Sequence, residues 1–392
     1  MNFYLSFRNI DIFNMKMPKI LFLCRSVPPA HSGSSIVISN LAKCFSADDI
    51  IIIGSKVYGS QYKKNEKVLP FIKYGTINMN IRGVRWLNWL QLPFLFFKSF
   101  FTIISNKCDI IVAVYPHHMY LLVGYLLSKV LKKPFYPYFH NLFSENYQNN
   151  IFVDWLEDSS FKAANNIITI SEGLTNYYRK KYPDLSFSTL THSYSEKLPN
   201  INISTEKITE VDIGFCGTIN HTCEDSLLRI LEAVNNRSNT KISLYGSTPN
   251  SKLEKYDFNS RKFNYHILSR YNLSKELQNK DILVLPHMFI DSKYNLERET
   301  IFPTKTIDYL LSGVPILAHV PKNCFLWEFI NKHKFALLID EPKVNKIEEG
   351  MDELVSSFNL RKELVNNAFE AAKLFRTDAV INKFYKIINW DN

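Results

Sequence analysis

The chain has 392 residues, of which 46% are hydrophobic and 21% are charged. This length predicts two or more domains, and this hydrophobic content excludes an intrinsically disordered chain. Basic residues outnumber acidic ones by 47 to 37, and the net charge of +10 favours anionic partners such as nucleotide phosphates or acidic lipid surfaces. The six cysteines lack zinc spacing, which is typical of reduced thiols in a cytosolic protein. No apolar run is long enough to predict a membrane span, and no nucleic-acid motif is present.

The first half of the chain alternates apolar strands with helices, which is typical of a parallel sheet covered on both faces. We expect strands at 19–24, 50–54, 67–76, 108–115, 134–140 and 166–171, and helices at 36–45, 120–131 and 172–181. A polar segment at 198–210 predicts a linker to a second domain.

Residues 81–104 form an aromatic stretch that also contains Arg82, Arg85 and Lys98. Pro93 interrupts any single helix through it. Tryptophans beside basic residues are typical of membrane interfaces, whereas apolar stripes on helices usually face a protein core. We therefore favour burial of this stretch against the sheet and keep peripheral contact with an anionic membrane as the alternative.

The second half of the chain repeats the alternation of strands and helices. We expect strands at 211–217, 241–246, 265–268, 281–286, 314–318 and 336–339, and helices at 227–235, 273–278, 347–358, 360–375 and 378–390. Two doubly wound α/β domains follow from this order.

Residues 302–316 combine a helix start, a cation and a helix stop. Pro303 and Thr304 are suited to the first turn and the cap of a helix of about ten residues, and a glycine follows that can end it. Such an N-terminus attracts phosphates, and Lys305 adds a cation to it. Asp308, one turn later, can accept hydrogen bonds from both hydroxyls of a ribose. On this pattern alone, a capped helix whose Lys and Asp are merely solvated is the simpler interpretation.

The run Phe302-Pro-Thr-Lys-Thr-Ile-Asp-Tyr-Leu-Leu-Ser-Gly-Val-Pro-Ile316 resembles the nucleotide-sugar-binding segment of the GT-B glycosyltransferases, family 4 in particular, with Asp308 in place of the usual Glu. The resemblance extends over nearly all of residues 17–392. It implies two Rossmann-like domains that face a cleft, with a last helix that crosses back to the first domain.

The expected domains follow from the linker and from this resemblance. We place an N-terminal, acceptor-side domain at 17–197, a nucleotide-sugar-binding domain at 210–375 and the crossover helix at 376–392.

The resemblance also implies site residues. His140, at the end of a strand, would contact the donor sugar, and Lys305 would neutralise the leaving phosphate. The family's first acid falls at Thr300, so Glu297 or Glu299 replaces it or the acid is absent. We take Glu299 with His140 and Lys305 as the catalytic set. Substrate-binding positions implied by the matched motifs are Gly33, Ser34, Gly217, Thr218, Gly246, Pro303, Thr304 and Asp308.

The implied activity is transfer of a sugar from a nucleotide diphosphate sugar to a hydroxyl of a saccharide or lipid-linked acceptor, with retained anomeric configuration. Cell-surface polysaccharide synthesis of the O-antigen or capsule kind is the expected setting, in the cytoplasm or peripherally on the inner face of the plasma membrane. No metal or other cofactor is expected, because no Asp-x-Asp motif is present. Two alternatives stay open: a nucleotide-sugar 2-epimerase that uses His117 and His118, and a non-catalytic GT-B scaffold.

Overall fold

The chain forms two compact units that interleave along the sequence. One unit contains residues 1–138, 152–167 and 382–392, and the other contains residues 139–151 and 168–381. The computed structural model describes residues 17–27, 33–57, 72–78, 85–147, 150–194, 198–199, 208–246, 248, 263–268, 270–290 and 294–389. Among these residues, no helix combines the length and the apolar character needed to cross a bilayer.

The first sheet has seven strands in the order β3-β2-β1-β4-β5-β6-β7. Its strands are β1 (Ile20–Cys24), β2 (Ile50–Val57), β3 (Ile72–Asn78), β4 (Ile110–Tyr115), β5 (Phe135–Phe139), β6 (Ile167–Thr169) and β7 (Phe187–Thr189). The helices among them are α1 (Gly33–Ala42), α2 (Leu92–Asn106), α3 (His118–Leu131), α4 (Ile151–Ala163) and α5 (Glu172–Lys181), with short 3₁₀ turns at Arg85–Gln91 and Ser144–Tyr147.

The second sheet has six strands in the order β10-β9-β8-β11-β12-β13, and all of its pairs are parallel. Its strands are β8 (Val211–Cys216), β9 (Thr240–Tyr245), β10 (Asn264–His266), β11 (Ile282–Pro286), β12 (Ile316–His319) and β13 (Leu337–Ile339). The helices are α6 (Glu224–Asn235), α7 (Arg270–Gln278), α8 (Asn295–Thr300), α9 (Lys305–Leu310), α10 (Phe325–His333), α11 (Val344–Ser356), α12 (Phe358–Ala372) and α13 (Thr377–Ile387).

Both sheets are doubly wound, as predicted. Strands β1, β4 and β11 are buried along their whole length, which explains why the sequence gives them continuous apolar runs. In each sheet, the strands that directly follow the first strand are added on one side of it, and the later strands are added on the other side. This reversal of strand order lies between β1 and β4 in the first sheet and between β8 and β11 in the second. Ligands of such sheets bind outside the carboxyl ends of the strands at these reversal points.

The C-terminal helix α13 returns to the first unit, as predicted. Its start is held in the second unit, where the N–H of Thr377 donates to the carbonyl of Tyr194 at 3.0 Å. The residues from 382 onward belong to the first unit. There Phe384 stacks on Phe22 at 6.2 Å between ring centroids and meets Phe45 edge-on at 5.6 Å.

Helix α2 contradicts the expected burial of the aromatic stretch 81–104. Leu95 packs into the core, but Phe94, Phe97 and Phe101 are exposed, although the pattern favoured a core role for the stretch. The interrupting proline lies in the first turn of α2 and starts the helix instead of breaking it. Residues 81–84 and the side chains of 85–87 lie outside the described part of the chain.

The predicted linker at 198–210 also lies largely outside the described residues. The domain boundaries at 197, 210 and 376 therefore stay predictions.

Replacing Phe384 with alanine tests the return of α13. The side chain is fully buried, so Phe384→Ala should leave a cavity and lower the free energy of unfolding by about 3–5 kcal/mol. Chemical denaturation followed by tryptophan fluorescence measures the change. Leu374→Ala is the control, because that side chain is half exposed and should cost little. Equal effects of the two substitutions would contradict the packing described here.

Candidate active site

Two glycines, at the carboxyl ends of the neighbouring strands β8 and β9, leave the backbone bare beside the reversal point of the second sheet. The N–H of Gly217 donates to the carbonyl of Tyr245 at 2.9 Å, and the N–H of Gly246 donates to that of His266 at 3.0 Å. A Cβ on Gly246 would lie 2.5 Å from the carbonyl oxygen of Gly217, which is closer than a van der Waals contact, so only glycine fits at this position. Gly217 itself has φ of 123°, which favours glycine.

The side chain of Lys305 lies across this bare backbone. A Cβ built on Gly217 would be 3.4 Å from Cδ of Lys305 and 3.8 Å from its Nζ. The ammonium is also 4.2 Å from the ring centroid of Phe215, a cation–π distance that holds the charge at the end of β8. An anion that approached the glycines would therefore meet a positioned cation.

Helix α9 differs from its prediction. It has six residues rather than about ten, and Thr304 is itself helical and makes no side-chain capping bond. The expected capping hydroxyl is therefore wrong, since the chain already turns at Pro303, whose carbonyl accepts from the N–H of Thr306 at 2.9 Å. Gly313 has φ of 74°, which confirms the predicted left-handed stop. Attraction of an anion depends here on Lys305 and the glycines more than on a long helix.

A buried phenol connects α9 to the strand that carries the glycines. The backbone N–H of Cys216 donates to Oη of Tyr309 at 2.8 Å, and Tyr309 is fully buried. This bond gives the N–H at the end of β8 its acceptor and fixes the position of α9 relative to the end of that strand. The position of Lys305 over Gly217 follows from that anchoring.

The other predicted substrate-binding residues of this segment line the same edge of the sheet. Pro303, Thr304 and Asp308 are half-buried, and Thr218 is exposed immediately after Gly217. The roles assigned to them, including the ribose contact of Asp308, stay predictions.

One hydrogen bond joins the loop after β8 to the loop after β9, and a second joins the latter loop to β10. The N–H of Ile219 donates to Oγ1 of Thr248 at 2.9 Å, and the N–H of Thr248 donates to Oη of Tyr265 at 2.6 Å. These bonds keep the backbone beyond Gly217 beside the backbone beyond Gly246. The two loops therefore present one continuous edge to a ligand.

His287 is a neighbour of the site that the sequence analysis overlooked. It follows β11 directly and is buried, and its Nε2–H donates to the carbonyl of Arg298 at 2.8 Å. Burial lowers the pKa of His287 to about 4, and the charge of Lys305 lowers it further, against the opposing effect of two backbone carbonyls. The rule that singled out His140, a histidine directly after a buried strand, would also have identified it.

The two candidate acids differ in their surroundings on α8. Oε2 of Glu297 is 3.0 Å from Nε2 of His221, whose ring stacks on Tyr294 at 4.0 Å between centroids. Glu297 therefore connects α8 to the loop after β8. Glu299 is exposed on the same helix, and its catalytic role stays a prediction.

His140 lies at the end of β5, as predicted, and is nearly fully buried. Burial lowers its pKa to about 3, and the nearby His192 lowers it further. The imidazole is therefore neutral, so it can contact a sugar hydroxyl but carries no charge for a phosphate. Gly33 and Ser34 begin α1, and the residues 28–32 before them are outside the described chain.

No cluster of three or more His, Cys, Asp or Glu side chains suited to a metal occurs among the described residues. The expected independence from a metal stays a prediction.

Neither a protein-family model nor a curated protein sequence matches this chain. Solved structures do match it. The Anabaena protein HepE, solved in complex with UDP and glucose, gives a TM-score of 0.69 at 13% identity, over 95% of this chain and 100% of that one. The lipopolysaccharide outer core galactosyltransferase WaaB gives a TM-score of 0.62 at 14% identity, over 95% and 100%. The chain has the GT-B glycosyltransferase fold.

The GT-B fold is shared here with a protein of another activity. A candidate UDP-N-acetylglucosamine 2-epimerase from Listeria monocytogenes gives a TM-score of 0.60 at 10% identity, over 96% of this chain and 98% of that one. Identities this low establish the fold alone, and membership of family 4 stays a prediction.

The depressed pKa of His287 predicts a loss of stability in acid. The unfolded chain binds a proton near pH 6.5 and the folded chain only near 4, so stability is fully present above 6.5 and falls as the pH drops toward 4. His287→Gln keeps a donor for the carbonyl of Arg298 but cannot titrate. The variant should lose less stability between pH 7 and 5 than the wild type, by up to about 2 kcal/mol.

Urea denaturation at the two pH values measures this difference. His266→Gln is the control, because it makes the same replacement at an exposed histidine. If His287→Gln and the wild type show the same acid response, His287 is not buried in the neutral form.

Proposed function

We propose that the protein is a glycosyltransferase that moves a sugar from a nucleotide diphosphate sugar to an acceptor hydroxyl. The observation that carries this proposal is the ammonium of Lys305 beside the bare backbone of Gly217, where Gly246 also excludes a side chain. A diphosphate needs this combination of close backbone approach and positive charge. HepE, which has the same fold, was solved with UDP and glucose, and this supports a nucleotide sugar as the donor.

The chemistry follows from how charge develops during the transfer. The bond between the anomeric carbon and the diphosphate breaks while a bond to the acceptor oxygen forms, and the proton of the acceptor hydroxyl passes to the departing diphosphate. Negative charge grows on that phosphate before the proton arrives. A fixed cation stabilises that charge more in the transition state than in the bound donor. We assign this role to Lys305, and the glycines let the phosphate come close to it.

The remaining roles form part of the same proposal. Asp308 accepts hydrogen bonds from the ribose, and the neutral imidazole of His140 contacts the donor sugar. Gly33 and Ser34 lie near the reacting sugar, and Glu299 is the acidic member of the site. The reaction proceeds without a resident metal and retains the anomeric configuration.

The acceptor is proposed to be a saccharide or a lipid-linked saccharide of a cell-surface polysaccharide, handled in the cytoplasm. The similarity of fold to WaaB, a lipopolysaccharide outer core galactosyltransferase, supports this setting.

A 2-epimerase is the second candidate, favoured by the Listeria protein of the same fold. His117 and His118 follow β4 directly, and burial lowers the pKa of His117 to about 3 and also lowers that of His118. Neutral imidazoles could exchange a proton with a sugar carbon.

Incubation with a panel of radiolabelled nucleotide sugars separates the two candidates. A transferase releases the free nucleoside diphosphate together with a glycosylated acceptor or free sugar. An epimerase yields an isomeric sugar, and a scaffold leaves every donor intact. Appearance of the isomer in place of transfer would refute the proposal.

Lys305→Ala should lower kcat by roughly a hundredfold, with a smaller effect on donor affinity, because the cation acts on charge that grows in the transition state. Steady-state kinetics with the cognate donor measure both quantities. Lys346→Ala is the control, since Lys346 is ion-paired with Glu349 at 2.6 Å on α11 and should behave as the wild type. An intact kcat with a raised KM would make Lys305 a binding residue only.

Asp308→Ala should weaken binding of the nucleoside diphosphate roughly tenfold or more, because charge-assisted hydrogen bonds to ribose are worth about 1.5–3 kcal/mol each. Asp308→Glu keeps the carboxylate and should bind nearly as the wild type does. Isothermal titration calorimetry with UDP and other nucleoside diphosphates measures these affinities. An Ala variant with wild-type affinity would exclude Asp308 from the site.

A further inference from the structure

Helix α2 buries Leu95, Ser99, Thr102 and Ile103 and turns several aromatic side chains outward. Ser99 and Thr102 are buried, and Oγ of Ser99 donates to the carbonyl of Leu95 at 2.7 Å within the helix. Phe94, Phe97 and Phe101 are 62%, 57% and 64% exposed. A surface helix of a water-soluble protein normally turns polar side chains to the solvent, so the exposed aromatic side calls for a partner.

The exposed side chains continue along α2 at helical spacing. They form one stripe from the end of the preceding 3₁₀ turn to the last turn of the helix: Leu90, Phe94, Phe97, Phe101 and Ile104. The helix has 15 residues and therefore extends over about 22 Å. A stripe of this length is long enough to lie along a surface rather than to fill a single pocket.

A second exposed cluster adjoins the start of the stripe. The ring of Trp89 is 5.6 Å from that of Phe152, and Phe152 is 5.9 Å from Trp155 on α4, measured between centroids. All three side chains are partly exposed. We call these three residues together with the stripe of α2 the aromatic face.

Basic residues predominate in the sequence around the aromatic face, and two of them lie on α2 or at its end. Between residues 67 and 144 the chain has nine lysines and arginines and a single acid, Asp109. The ammonium of Lys98 is 5.8 Å from the ring centroid of Phe94 on the stripe itself, and Lys107 caps the end of α2. On the α4 side, Asp154 lies next to Trp155, so the positive charge belongs to the α2 side.

We propose that the aromatic face binds the surface of an anionic lipid bilayer, with α2 lying in the plane of the interface. Aromatic rings and leucines enter the boundary between head groups and acyl chains, and the lysines contact the acidic head groups. This inference rests on the exposed side chains and the charge of the first unit, and it holds whether or not the protein transfers sugars.

The charge argues for lipid over a second copy of the chain. A symmetric dimer through this face would place the same basic segment on both sides of the interface, and like charges would oppose each other. An acidic bilayer offers the complementary sign over the whole area of the face.

Sedimentation with lipid vesicles tests the proposal on the full chain. We expect the wild type to bind vesicles of phosphatidylcholine mixed with phosphatidylglycerol, to bind phosphatidylcholine alone weakly, and to bind less as salt rises. The triple variant Phe94→Ser, Phe97→Ser and Phe101→Ser should lose about tenfold or more of its binding to the mixed vesicles. Its melting temperature should stay near that of the wild type, because the three rings are already exposed.

Two further variants separate the contributions of aromatic rings and charge. Leu374→Ser removes an exposed leucine from the second unit and should bind vesicles as the wild type does. Lys98→Gln with Lys107→Gln should lower the binding to mixed vesicles and flatten its salt dependence.

Three results would overturn the proposal. The wild type could fail to sediment with the mixed vesicles, or the triple serine variant could bind them as the wild type does. The third result would be that the wild type is a dimer in size-exclusion chromatography, that the triple variant is a monomer and that neither protein binds vesicles. The aromatic face would then be an interface between copies of this chain.

Discussion

The carbonyl oxygen of Gly217 lies so near the backbone of Gly246 that no atom of a side chain can stand between them. This close approach exposes bare backbone at the carboxyl ends of β8 and β9, beside the reversal point of the second sheet. Parallel pairing of β8 with β9 brings the two strand ends side by side, and the bonds from Ile219 and Thr248 keep the following loops together. Lys305 and α9 then add a cation to a surface that already admits a ligand.

Burial keeps three histidines of the second unit in the neutral form. It lowers the pKa of His140 to about 3 and that of His287 to about 4, and His319 is similarly lowered to about 4. His319 illustrates the neutral form, since its Nε2–H donates to the carbonyl of Glu341 while its Nδ1 accepts from Ser226. Positive charge toward an anion therefore comes from the lysine, and the imidazoles contribute hydrogen bonds.

The sequence was most informative where burial is complete on both faces of a strand. The runs that became β1, β4 and β11 could only be central strands of a parallel sheet, so the fold class followed from them. The glycine stop at Gly313 was equally predictable, because the left-handed conformation demands it.

What the sequence could not supply was the outcome of tertiary packing. The aromatic stripe of α2 has the composition of a core helix, and its period does not say which side faces the sheet. In the folded chain Leu95 packs directly against Gly75 on β3, where a Cβ would clash with it. This contact turns the side of α2 that carries Leu95, Ser99 and Thr102 toward the sheet. The cation–π contact of Lys305 with Phe215, and the phenol of Tyr309 under Cys216, join residues about ninety positions apart and leave no local signal.

The return of α13 has a consequence for synthesis on the ribosome. The aromatic contacts of Phe22 and Phe45 are completed by Phe384, which is translated several hundred residues later. At ribosomal speed, the interval between them is on the order of tens of seconds. Throughout that time the strands at the start of the first unit have emerged without the ring that covers them. The packing around Phe22 and Phe45 therefore cannot be completed during synthesis until residue 384 has emerged.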